Sequence, residues 1–338
     1  MTAAPWLVTG ASGFLGRHLL EQIGTHAPDR RVVALVRSPA EWEEMAWTRP
    51  LTKVDVLSGG VTAPERWASA GQLAGLGGIF HLAALVRHGR RDAEEVYFTN
   101  VEGTRAMVRV AAQYRCRLVF VSTSGTVGCF RKPGETADED APWCESEVKA
   151  WPYYHSKVLA EREGQALAKE LGVELVIVRP PVLLGPGDHR LRSTNHVSRF
   201  LLGKVPFLIR GGMHFADVRD AAAALLHAME RTPARPVYHL PGTICTLQEF
   251  YGMVARASGK RPPRLILPYL PALLAARISG RLGLHLLPEP ALVEMAAHYW
   301  GTRSRYAEAE LGYRSRPGEV TIRETVEWLA GHHPELGA

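Results

Sequence analysis

Through the first half of the chain, short apolar runs alternate with longer stretches in which apolar positions recur every three or four residues. Trp6–Thr9, Val32–Val36, Lys53–Leu57, Gly78–Ala84, Leu118–Ser122 and Glu174–Val178 read as six strands. Their residues are apolar in succession rather than in alternation, the pattern of strands covered on both faces. Leu15–Ile23, Thr99–Tyr114 and Tyr153–Leu171 carry helical spacing. Strands alternating with helices predict an α/β fold with a doubly wound parallel sheet. After Arg179 the texture changes, with Pro180, Pro181, Gly185, Pro186 and Gly187 breaking the alternation. From Leu201 onward helices separated by proline-rich joints are expected, with strand-like pieces at Val205–Ile209 and Val237–Leu240. This part reads as a smaller, mostly helical C-terminal lobe.

A length of 338 residues suits two lobes, and 46% hydrophobic with 22% charged residues is ordinary globular usage. Disorder, collagen and coiled coil are excluded as the main architecture. Cys116, Cys129, Cys144 and Cys245 lie far apart, which excludes a disulfide scaffold and a zinc ribbon. The N-terminus has neither a basic segment nor a long apolar one, and the apolar run Leu265–Ala276 is too short to span a bilayer. A cytoplasmic protein with no transmembrane segment is expected. The net charge of +6 is spread along the chain without a basic block interleaved with aromatics, so no nucleic-acid partner is expected. The 14 histidines show no ligand spacing with carboxylate or cysteine, so no metal is expected either.

Candidate chemistry begins at Gly10-Ala11-Ser12-Gly13-Phe14-Leu15-Gly16, between the first strand and the first helix. There Gly10 permits a tight turn, Gly13 lets backbone N–H groups approach a pyrophosphate, and Gly16 lets helix pack on strand. A glycine triplet alone is common punctuation; its place between strand and amphipathic helix points to a dinucleotide. NAD sites carry an acid some 20 residues on, where this chain reads Leu35-Val36-Arg37-Ser38. Arg37 suits a 2′-phosphate, so NADP(H) is expected in preference to NAD. Asp55 and Val56, read as ending the third strand, are placed against the adenine edge. The dinucleotide-binding part is assigned to 1–180 and 216–242, and the substrate lobe to 181–215 and 243–338.

Tyr153 and Lys157, four apart, share one face of a predicted helix. An ammonium beside a phenol favours the phenolate and suits tyrosine to acid–base work. Ser122, Thr123 and Ser124 end the fifth strand at the edge where open parallel sheets bind ligands, and a hydroxyl there can hold a substrate carbonyl.

With these segments in place, the chain resembles the extended short-chain dehydrogenase/reductases of the NAD-dependent epimerase/dehydratase superfamily. The resemblance runs through TGASGFLG (9–16), VDV (54–56), FHLAA (80–84), NVEGT (100–104), VSTSGTVG (121–128), YYHSK (153–157), RPPVLLGPGD (179–188) and FADVRDAA (215–222). It implies that Ser124, Tyr153 and Lys157 act together: Tyr153 exchanges the proton, Lys157 lowers its pKa and holds the nicotinamide ribose, and Ser124 orients the carbonyl. Thr123 is the alternative hydroxyl. It further implies that Ser122, Leu82, Ala83 and Ala84 line the cofactor, that Pro180 to Val182 border the nicotinamide, and that Asn100 supports the Lys157 proton path. The RPP segment points away from the sugar-nucleotide branch, Arg37 and the PGD…FADVRD stretch look most like dihydroflavonol-4-reductase-like members, and a homodimer through 99–114 and 153–171 follows from the resemblance alone.

The expected function is NADPH-dependent reduction of a small-molecule ketone or aldehyde. The rivals are an NAD-dependent sugar-nucleotide epimerase or dehydratase and a non-catalytic NADP sensor. In the second lobe, Phe200, Phe207, Leu208, Phe215, Tyr269, Leu273 and Leu274 are either pocket lining or core. His189, Arg190 and Arg192 are either an acid-binding group or a solvated loop. The amphipathic segment 268–287, with Arg277 and Arg281, is expected to cap the pocket rather than to bind a membrane surface or a partner.

Overall fold

Seven parallel strands are laid down where the apolar runs predict them, in a computed structural model that describes residues 4–231, 234–282 and 287–337. They are β1 (Trp6–Thr9), β2 (Val32–Val36), β3 (Val54–Ser58), β4 (Gly78–His81), β5 (Arg117–Val121), β6 (Leu175–Arg179) and β7 (Val237–His239). Their spatial order is β3-β2-β1-β4-β5-β6-β7. The order reverses between β1 and β4, which opens a crevice at the carboxyl ends of those strands.

Both sheet faces are covered, as successive apolar positions require. On one side, α1 (Phe14–His26) and α4 (Val218–Glu230) pack onto Val8, Ala34, Phe80, Val119 and Val176. On the other, α2 (Gly103–Tyr114) and α3 (Pro152–Leu171) pack onto Leu7, Val33, Ile79, Leu118 and Ile177. Neighbouring strand residues therefore serve opposite cores.

Several boundaries move. The Gly78–Ala84 run is a strand only to His81, because the chain then peels off to cross the glycine turn. The third strand ends at Ser58, not Leu57. The helix expected from Thr99 starts at Ala93, and a widened π turn over Phe98–Glu102 precedes α2.

The second layer holds more strand than expected. Gly212–Asp217 pairs in parallel with Val182–Leu184 and antiparallel with Thr243–Thr246, and Leu208–Ile209 pairs with Ile266–Leu267. Gly212–Asp217 is buried at every position, so it shows no period of two, and its partners are only three and four residues long. Helix Leu247–Ser258 opens with a capping box, Thr246 and Glu249 each satisfying the other's backbone N–H. Asp217 caps α4 by accepting from Arg219 N at 2.9 Å, and the Arg316 guanidinium forks onto Asp220 at 2.7 and 3.1 Å. Phe200, Leu208, Phe215 and Leu273 lie in this layer's core, Phe207 packs against it half-buried, and Tyr269 and Leu274 face solvent. Among the described residues no helix is long and apolar enough to cross a membrane.

Candidate active site

The turn after β1 is built from backbone contacts that leave no room for side chains. Gly10 has φ +69°, and a Cβ there would stand 2.7 Å from Ala83 N. A Cβ on Gly16 would meet the Gly10 carbonyl oxygen at 2.3 Å. No side chain caps the start of α1, where Gly13 sits at the N-cap position. Its first N–H groups therefore face the crevice between β1 and β4 with the positive end of the helix dipole. This bare cradle, closed on one side by Leu82, Ala83 and Ala84, fits the pyrophosphate of a dinucleotide.

Past the end of β2, Arg37 is exposed and shares a small cleft with Ser12, Val36, Ser38, Glu41 and Arg190. Arg190 reaches this cleft from the second layer. His18 Nε2 lies 2.8 Å from the Pro186 carbonyl and His189 packs against Trp47, so the 186–190 loop lies across the first βαβ unit. Hence His189 and Arg190 face the nucleotide end rather than a substrate acid, while Arg192 is exposed. The placement of Asp55 and Val56 is corrected. β3 runs on to Ser58, and Asp55 sits opposite Val33 beside Arg31, near the amino end of the sheet. The backbone level with the end of β2 is Gly59, whose N–H donates to the Val36 carbonyl at 2.8 Å.

At the carboxyl end of β5 the three hydroxyls part company. Ser122 Oγ is buried and faces the Glu161 carboxylate, which it helps to hold ionised. Thr123 Oγ1 is committed as a cap, accepting from Gly125 N at 3.2 Å. Ser124 is held by its backbone, N–H donating to the Pro180 carbonyl at 2.8 Å, and its side chain carries no protein partner among the described residues. Thr123 keeps its O–H free to donate, whereas the Ser124 hydroxyl has neither its donor nor its acceptor side engaged by protein among the described residues.

The first turn of α3 packs on this segment, since a Cβ on Gly125 would enter the Tyr154 ring. Lys157 Nζ donates to the Val121 carbonyl at 2.8 Å and lies 4.7 Å from the Phe120 ring centre. Burial brings its pKa down to about 7, against the upward pull of Glu161. Burial also pushes the Tyr153 phenol up to about 12. Desolvation is the cause of the Tyr153 shift, and no lowering by Lys157 accompanies it.

A family model, the NAD dependent epimerase/dehydratase family, matches residues 6–240. The chain belongs to that family. It is 28% identical to the "Putative dihydroflavonol 4-reductase" of a Synechocystis species, over 97% of this chain and 95% of that one. It is 31% identical to cinnamoyl-CoA reductase 1 of Oryza sativa subsp. japonica, over 75% and 76% of the two chains. The crystal structure of gox2253 superposes with a TM-score of 0.82 at 27% identity, covering 98% of this chain and 99% of that one.

Within this epimerase/dehydratase fold, several site residues escaped the sequence reading. His81 closes a directed chain of hydrogen bonds. Ala83 N–H donates to Thr9 Oγ1 at 3.2 Å, and Thr9 Oγ1 meets His81 Nδ1 at 2.8 Å. His81 Nε2 meets Thr104 Oγ1 at 3.2 Å, and Thr104 donates to the Asn100 carbonyl at 2.7 Å. Because Thr104 spends its proton on Asn100, the chain runs one way and His81 is neutral, with its proton on Nε2. Burial, helped by Lys157, holds its pKa down at about 3. Asn100, in the π turn, clamps Leu85 through both its N–H and carbonyl and donates to Ser156 Oγ at 2.9 Å.

One turn past Lys157, fully buried Glu161 accepts from Arg179 Nε at 3.0 Å, Thr126 Oγ1 at 3.1 Å and Trp143 Nε1 at 2.7 Å. Burial works against its charge, but Arg179 holds it ionised. Over the site, the His88 ring stands edge-on to Tyr153 at 5.7 Å, close enough to His196 to feel its charge. Both imidazoles leave Nδ1 buried and unpartnered. The repeat of four through Tyr153, Lys157 and Glu161 was a readable signal; His88 and His196 left none.

Proposed function

We propose that the chain reduces a ketone or aldehyde with NADPH. The observation carrying this reading is the meeting of Lys157 with the end of β5, beside the uncommitted Ser124 hydroxyl and one helical turn from Tyr153. When bound, NADPH supplies the hydride. The Gly10–Gly16 turn would hold the pyrophosphate, and Arg37 with Arg190 would face the 2′-phosphate, since no carboxylate ends β2. Leu82 to Ala84, Ser122 and Pro180 to Val182 would border the rest of the cofactor.

Ser124 donates a hydrogen bond to the substrate oxygen and fixes the carbonyl. Tyr153, protonated at any pH below about 12, donates its phenolic proton to that oxygen. Lys157 carries positive charge beside the phenolate left behind, with two of its donors free after the bond to Val121. His88 and His196 offer neutral ring nitrogens to a polar group of the substrate. Two flanking relatives bearing reductase names support this class over a sugar-nucleotide epimerase. A homodimer through α2 and α3 belongs to the same reading.

The test is titration of the purified chain with NADPH and NADH, followed by a carbonyl-substrate screen. Arg37→Ala is expected to erase the preference for NADPH. Tyr153→Phe is expected to bind NADPH as the parent does and to lose about 10²–10⁴-fold in turnover. Tightly bound NAD in the purified protein, or full turnover by Tyr153→Phe, would sink the proposal.

A further inference from the structure

Between Glu249 and Glu289 the sequence holds no acidic residue, yet it holds Arg256, Lys260, Arg261, Arg264, Arg277 and Arg281. Within this stretch, helix Tyr269–Arg281 buries Ala272, Leu273, Ala276 and Ser279 against the second layer. Its other face is apolar and bare: Leu270 is 72% exposed, Leu274 59%, Ile278 48%, and Leu282 just beyond it 66%. A spacing of four makes these one continuous row. Leu265 and Ile266, exposed in the short strand region before the helix, extend the same apolar surface. Residues 283–286 lie outside the described residues.

A pocket cap would turn this row inward, so the cap expectation is corrected. Helical rotation of 100° per residue brings Arg277 and Arg281 alongside Leu270 and Leu274. Arg261 and Arg264 are exposed next to Leu265. Arg277 is paired with Glu294 at 3.6 Å, whereas Arg261, Arg264 and Arg281 have no ion pair among the described residues. An apolar centre edged by three cations without an ion pair, and by an Arg277 only loosely held by Glu294, selects its occupant. A second copy of the chain would bring the same cations to the contact and repel. An anionic lipid leaflet supplies both an apolar interior and phosphates at the level where arginines emerge.

We propose that this face rests on an anionic membrane surface, with Leu270, Leu274, Ile278 and Leu282 in the interfacial layer and Arg261, Arg264 and Arg281 on lipid phosphates. Attachment is peripheral, and it stands independently of the reaction proposed above.

Co-sedimentation of the full chain with vesicles of phosphatidylglycerol and phosphatidylcholine, against phosphatidylcholine alone, reads this directly. The chain is expected in the pellet with anionic vesicles only, and less so as salt is added. Arg261→Gln with Arg264→Gln is expected to weaken partition about 30-fold. Leu270→Glu with Leu274→Glu is expected to abolish it while leaving Tm and NADPH affinity unchanged, since both side chains face solvent. The proposal is overturned if the chain stays in the supernatant, if neutral vesicles bind it equally, or if both double variants still sediment. It is equally overturned if the parent is a dimer that the leucine variant dissociates, which would give the row to a second copy.

Discussion

Burial moves Lys157 and Tyr153 in ways that set the direction of proton flow. Desolvation disfavours the charged form of each, so the phenol stays protonated up to about 12 while the amine loses its proton near 7. Below that value Lys157 is an ammonium, which in the proposed reduction would stabilise the phenolate formed on Tyr153; above it the charge is gone. Carbonyl reduction should therefore be fastest on the acid side. We expect kcat/KM for reduction to fall as pH rises through about 7, and Lys157→Met to be slow at every pH without that inflection. A profile that rises across neutrality would remove Lys157 from this role. At this scale, much of the site was legible because its chemistry follows short-range spacing: Tyr153 and Lys157 share a helix face, and Gly10, Gly13 and Gly16 share a turn. His88 lies on a loop and His196 in the first turn of helix Asn195–Leu201, 108 positions away in the chain, and only the fold brings them near one another.

The turn proposed to hold phosphate makes a sharper demand than its glycines suggest. In α1, replacing glycine by alanine ordinarily stabilises a helix by about 1 kcal/mol. Gly24 meets that ordinary case, since nothing lies within 4 Å of where its Cβ would stand. Gly16 does not, because its Cβ would press on the Gly10 and Ala11 carbonyl oxygens at 2.3 and 2.6 Å. Gly24→Ala should raise Tm, whereas Gly16→Ala should lower stability by about 1–3 kcal/mol and weaken dinucleotide binding. Thermal melts of the two variants with and without NADPH separate these effects; equal melting temperatures would contradict the packing described. The pattern was reliable for α1 and α3, which are long enough to show helical spacing, and for the first strands, whose apolar runs are set off by glycine turns and helices. It failed for Gly212–Asp217 and its partners, whose pairing is decided by distant glycine-rich contacts. It also missed the π turn, where one inserted residue shifts the helical phase. Asp55 was misplaced for a related reason: the end of β3 is set by pairing with β2, which an isolated apolar run does not reveal.

At the scale of the whole molecule, one buried ion pair stands where three parts of the fold meet. Glu161 stands on α3, and Arg179 at the end of β6, where the chain leaves the sheet for the second layer. Arg179 Nη1 also meets His239 Nε2 at 3.1 Å, at the end of β7, and His239 Nδ1 meets the Arg303 carbonyl from the C-terminal part. Arginine can only donate, so His239 accepts at Nε2, is neutral, and donates to Arg303. Burial, aided by Arg179, keeps its pKa down at about 4. One guanidinium thus orders the Lys157 helix, the sheet edge and the second layer together. Arg179→Leu would strip buried Glu161 of its hydrogen-bonded cation and leave only Lys157, one helical turn away, to oppose its charge, at a cost of about 3–5 kcal/mol. The sign of the pH dependence should then invert. In the parent, Arg179 keeps Glu161 below its unfolded pKa, so its contribution is present above that value and is lost as pH falls through the folded one. In Arg179→Leu, burial alone raises the folded pKa, so the stability deficit should shrink as pH falls through the raised value. Arg179→Leu with Glu161→Leu should recover most of the loss at neutral pH. Denaturant melts of the three chains across pH would decide it: a deficit in Arg179→Leu that stays constant with pH would mean that Glu161 is not confined, and that the three parts are held together elsewhere.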